Sequence, residues 1–137
     1  MSTDRPAPQV LETEDIATVQ VAPGVELKEL TGRTALPDAQ TNQGSVAYFR
    51  LEPGAASAWS HNLEGEESFF VLRGRGEIWL GNQPHAVKAG SFVVLPPHLV
   101  RSMRASQGAV LEYYSITTPA WDEADHVLVE PPAGFSG

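Results

Sequence analysis

Between residues 18 and 117 the chain alternates short runs rich in Val, Phe, Tyr and Ile with breaks of Gly, Pro and Asn. No helical period persists across any of them. The runs fall at 18–21, 25–30, 45–51, 67–72, 77–80, 85–87, 91–95, 99–104 and 110–117. Turn signals punctuate them at Pro53-Gly54, Arg73-Gly74-Arg75-Gly76, Gly81-Asn82 and Ala89-Gly90. Strands this short at this spacing predict an all-β sandwich or barrel. The one helical piece expected is a turn near Pro119-AWDEAD, with Thr118 as its N-cap.

At 137 residues the chain is the size of one domain. Such a domain buries about two thirds of the surface its unfolded chain exposes. Residues 1–15 are polar and acidic and read as a mobile arm, residues 16–128 as the barrel, and residues 129–137 as a flexible tail. The absence of cysteine excludes disulfides, thiol chemistry and zinc ribbons. No run reaches the roughly 18 apolar residues of a membrane span. The N-terminus shows no apolar signal segment, so a cytoplasmic location is expected. The net charge of −8, with nine Lys and Arg that never cluster, argues against nucleic acid and anionic membranes as partners. The Arg73-Gly74-Arg75-Gly76 run is better explained by a hairpin turn than by RNA binding.

Two segments carry a more specific pattern. The first is Gly54-AASAWSHNLEGEESFFVLR-Gly74, and the second is Gly90-SFVVLPPHLVRSMR-Ala105. Their glycines, prolines and one glutamate resemble the two motifs of the cupin family. Its first motif is Gly, five residues, His-x-His, three or four residues, Glu, six residues, Gly. Gly54, Glu67 and Gly74 fall in place without a gap, whereas the two histidine positions hold Ser60 and Asn62, with His61 between them. The second motif is Gly, five residues, Pro-x-Gly, two residues, His, three residues, Asn. Gly90 and Pro96 match, and His98, Arg101 and Ala105 stand at the other three places.

The resemblance implies a cupin-type double-stranded β-helix, a jelly-roll barrel with a small-molecule pocket, that forms a homodimer. It places the family's four metal ligands on Ser60, Asn62, Glu67 and Arg101. Only the glutamate survives. Ser and Asn are poor ligands for transition metals, and Arg does not lose its proton. No metal or other cofactor is therefore expected.

Strand alternation indicates what replaces the ion. Residues two apart share a side, so an inward Glu67 brings Phe69 with it, and an inward Arg101 brings Met103. A buried carboxylate without a cation is costly, and a guanidinium supplies fixed charge and a bidentate partner. An Arg101–Glu67 pair in place of the ion is the reading adopted. The other is a shifted strand with Arg101 in solvent. His61 faces outward in the unshifted register, while a one-residue bulge turns it and Trp59 inward, beside Glu67. His98, after Pro96-Pro97, lies at the barrel rim or in a solvated loop. His85 and His126 read as surface residues.

The functional expectation is an acid–base enzyme without metal, of isomerase, cyclase or lyase type, acting on a small anionic metabolite. Glu67, with His61 or water, moves protons while Arg101 holds an anionic group. Ser60, Asn62, Phe69, Trp59, Met103 and His98 line the ligand site. Two alternatives stand beside it. One is a ligand-binding or sensing module without catalysis. The other is a metal enzyme with unusual ligands, His61, Glu67 and His98. No residue discriminates sugar, polyketide or amino-acid derivatives.

Overall fold

The computed structural model describes residues 5–133 and Phe135. The parts of the expected arm and tail at residues 1–4, 134, 136 and 137 lie outside the described residues. The strands are β1 (Val19–Ala22), β2 (Val25–Thr31), β3 (Ser45–Leu51), β4 (Ser60–Asn62), β5 (Glu66–Arg73), β6 (Arg75–Leu80), β7 (Gln83–Lys88), β8 (Phe92–Leu95), β9 (Arg101–Ala105), β10 (Leu111–Thr118) and β11 (His126–Leu128). They form two antiparallel sheets. One runs β1-β2-β3-β10-β5-β8 and the other β11-β4-β9-β6-β7. This is the all-β, two-sheet architecture expected for a jelly-roll barrel.

The period of two sets which faces meet. On β5, Glu67, Phe69 and Val71 are buried, while Phe70 and Leu72 are exposed. On β10, Leu111, Tyr113, Ser115 and Thr117 turn inward. On β9, Arg101, Met103 and Ala105 do the same. Val25, Leu51, Phe69, Val71, Ile78, Leu95, Met103, Leu111 and Tyr113 join these faces into one core drawn from both sheets. Each such side chain contributes about 1.5–3 kcal/mol on full burial. The core fills one end of the barrel. The polar inward residues Glu67, Ser115, Thr117 and Arg101 gather toward the other.

Three local expectations are corrected. Arg73 to Gly76 is not a hairpin, because β5 pairs with β10 and β8 while β6 pairs with β7 and β9. The chain changes sheets there, which a hairpin turn would not do. Gly74 sits at φ +89°, and a Cβ on it would lie 1.9 Å from the Val110 carbonyl oxygen. The expected helical turn is a short 3-10 segment at Glu123–Asp125, capped by the Asp122 side chain, which accepts from the Ala124 N–H. Thr118 ends β10 and is no cap. Finally, β4 and β11, three residues each, were not among the expected strands.

The described part of the arm is tied down by hydrogen bonds, among them one from Lys28 Nζ to the Thr13 carbonyl at 2.7 Å. The Ala7 N–H and Gln9 Nε2 donate to the Asp38 carbonyl at 2.8 and 2.7 Å. Phe135 packs against the rings of Trp59 and Trp79, each 4.9 Å away. Among the described residues no helix is long and apolar enough to cross a membrane.

Candidate functional site

A cavity of about 320 Å³ opens at the polar end of the barrel. Its walls are apolar, from Leu27, Phe49, Phe69 and Tyr113. Glu29, Ser45, Ser57, Ser60, Glu67, Arg101, Ser115, Thr117 and His126 supply its polar groups. This pattern of apolar walls and a few convergent polar groups is typical of a small-molecule site.

Pairing across strands assembles the polar set. Ser60 on β4 stands opposite Arg101 on β9. Glu67 on β5 stands opposite Thr117 on β10, and Asn62 opposite His126 on β11. The Glu67 and Arg101 side chains are 8% and 5% exposed. Arg101 Nη2 donates to Glu67 Oε1, so the guanidinium and the carboxylate form a buried ion pair. Asn62 Nδ2 donates to the same oxygen at 3.0 Å, and the Ser115 hydroxyl donates to Oε2. A carboxylate offers about four acceptor sites, so roughly one remains for a ligand. The other terminal guanidinium nitrogen, Arg101 Nη1, is buried and has no hydrogen-bond partner. A buried donor left unpaired costs about 1–3 kcal/mol, more on a charged group, so this atom is the exception in the site.

Two groups of the cavity lining have protonation displaced from the ordinary range. Burial, with the Glu67 charge adding to it, pushes the Tyr113 phenol up and keeps it neutral. Burial lowers the His126 imidazole. Arg101 and His61 lower it further, against the opposite pull of Glu67 and Asp125.

The expected site residues separate into two groups. Ser60, Glu67, Phe69 and Arg101 line the cavity. Asn62 is buried behind it and orients Glu67. Met103 is fully buried in the core and does not line the cavity. Trp59 packs edge-to-face against Trp79 and Phe135 instead, away from the cavity lining. His61 lies on the outward side of β4, its ring 6.0 Å from that of His98, and neither lines the cavity. His98 is exposed, with φ +70°, and its N–H donates to the Asn62 carbonyl at 2.8 Å.

His126, expected at the surface, is half-buried and lines the cavity. Its Nδ1 lies 3.1 Å from Asn62 Oδ1, and its ring packs against Trp121. Ser115, Thr117 and Tyr113 were also missed. Their shared face on run 110–117 was the available signal, since that face meets Glu67 across the sheet.

The positions that hold a metal in the family do not suit one here. Ser60, Asn62 and Arg101 offer a hydroxyl, an amide and a guanidinium, and the guanidinium is already bonded to the one carboxylate. Among the described residues no three His, Cys, Asp or Glu side chains group closely enough to hold an ion.

This barrel, with its cavity between two antiparallel sheets, is that of a cupin. The cupin domain family model matches residues 47–117, and the chain belongs to that family. KdgF from a Halomonas species superposes with a TM-score of 0.70 at 18% identity, covering 86% of this chain and 99% of that one. A Streptomyces PAC13 variant with uridine gives 0.73 at 16% identity, covering 93% and 95%. An RmlC-like cupin from Shewanella frigidimarina gives 0.70 at 12% identity, covering 88% and 98%. Identities this low establish the fold. No curated protein matches the sequence.

Proposed function

We propose that this cupin is an acid–base enzyme that works without a metal on a small anionic metabolite. The observation that carries this reading is Arg101 Nη1, a buried charged donor without a partner in a residue that lines an apolar cavity. A carboxylate, enolate or carbonyl oxygen of the ligand satisfies it. Arg101 thus holds Glu67 with one nitrogen and the ligand with the other. Glu67 keeps a free acceptor site beside that oxygen and exchanges a proton with the ligand. Charge that develops on the ligand oxygen is stabilised by the fixed guanidinium in a low-dielectric site. Isomerisation, cyclisation and elimination suit this equipment. PAC13, of the same fold, is described as a nucleoside dehydratase, so the barrel can house an elimination.

The test compares the parent with Arg101→Lys and Glu67→Gln, after a thermal-shift screen of small carboxylic and sugar acids. Lys keeps the charge and loses the planar fork, so affinity for an acidic ligand falls while some turnover remains. Glu67→Gln keeps binding and loses turnover. Binding without turnover in every form, the parent included, identifies a sensor instead.

A further inference from the structure

We propose that His126 is a proton acceptor of this cavity, held by Asn62 as the Nδ1–H tautomer so that Nε2 offers its lone pair to the ligand. A chain of obligatory donors and acceptors fixes the ring's tautomer. The Glu67 carboxylate only accepts, so the Asn62 atom 3.0 Å from Oε1 is the amide nitrogen. That fixes the flip of the amide and turns its oxygen toward His126. An amide oxygen only accepts, so His126 Nδ1, 3.1 Å away, carries a hydrogen. In a neutral imidazole the other nitrogen is then bare.

Several observations keep the ring neutral. It is half-buried, with Trp121 packed against it at 5.4 Å. The charged and titratable groups that act on it are Glu67 on β5, Arg101 on β9, His61 on β4 and Asp125 in the 3-10 turn. Their effects oppose one another, while burial is the largest influence and favours the uncharged ring.

His126 and Arg101 line the same cavity. His126 offers a bare acceptor, and the unpaired Arg101 Nη1, closed to solvent in the free protein, is reached by a ligand through a small shift of the guanidinium. A ligand that satisfies both carries a hydroxyl for Nε2 and a carbonyl or carboxylate oxygen for Nη1, on an apolar body that fits Phe49, Phe69 and Tyr113. The substrate class is therefore a hydroxy acid or hydroxy carbonyl compound. This assignment rests on the cavity being the site of chemistry. The experiment below reads His126 on the free protein, so it fails or succeeds separately from the Glu67 and Arg101 variants.

The tautomer is read from long-range 1H–15N correlation spectra of the labelled protein, with His126→Gln assigning the signal. The expected result is Nδ1–H at neutral pH, whereas exposed His85 shows the Nε2–H form common in water. Asn62→Leu removes the anchor, and His126 should lose its Nδ1–H preference. Should that variant not fold, the parent decides through diethyl pyrocarbonate, which acylates a bare imidazole nitrogen. Acylation of His126 at Nε2 in the folded protein is expected. An Nε2–H tautomer, an imidazolium at neutral pH, or a His126 acylated only after unfolding overturns the proposal.

Discussion

Replacing Arg101 by Met tests how the barrel holds its buried carboxylate. Met keeps most of the aliphatic stem, so little packing is lost, but Glu67 loses its cation. The carboxylate is 8% exposed and retains two neutral donors, Asn62 Nδ2 and the Ser115 hydroxyl. Removing one partner of a buried pair costs about 3–5 kcal/mol. The two remaining donors place this site near the lower end, at about 3 kcal/mol. In a chain of this size that corresponds to a Tm lower by roughly 10 °C. The double variant Arg101→Met/Glu67→Leu removes both charges. Such replacements are often neutral or stabilising, so it should be more stable than Arg101→Met alone. Urea unfolding at neutral pH measures both. A loss below about 1 kcal/mol for Arg101→Met, or a double variant no better than the single, would falsify the buried pair.

Glu67→Gln should cost less than Arg101→Met, because its amide oxygen still accepts from Arg101, and a thermal melt ranks the two. Gly74→Ala should cost about 4 kcal/mol or more, since a Cβ meets the Val110 carbonyl at 1.9 Å on a backbone of φ +89°, whereas Gly90→Ala carries only the strain of φ +94°. Expression yield and Tm of the two variants check this. The lowered His126 makes stability depend on pH: as pH falls below about 6.5 the unfolded chain takes up a proton that the folded ring resists, so stability drops with pH. His126→Gln should remove that part of the slope in urea titrations, and an unchanged slope contradicts it. His61→Ala should leave ligand affinity and turnover unchanged, because that ring does not line the cavity.

The fold was legible because the inward faces of β5 and β10, eight residues each, follow a period of two. The Arg101–Glu67 pair was legible for the same reason, together with the gapless spacing of Gly54, Glu67 and Gly74. β4 and β11 are three residues long and show no period, so His126 could not be placed beside Asn62 from sequence. The orientation of His61 was undecided for a related reason. A strand of three residues has too little alternation to fix its register. The cavity face of β10 was visible in sequence as Tyr113, Ser115 and Thr117, but only the pairing with β5 shows that it meets Glu67. The sheet change at Gly74 looked like a turn because local sequence reports the bend and not the partner strand.

Elemental analysis of protein purified without chelators tests most directly whether a guanidinium, and not a metal ion, faces Glu67. With the guanidinium in place, iron, manganese, nickel and zinc should each lie far below one atom per chain. Adding these ions should bring no gain in Tm, because Arg101 already occupies Glu67 Oε1. A content near one metal per chain that is lost in Glu67→Gln would contradict it.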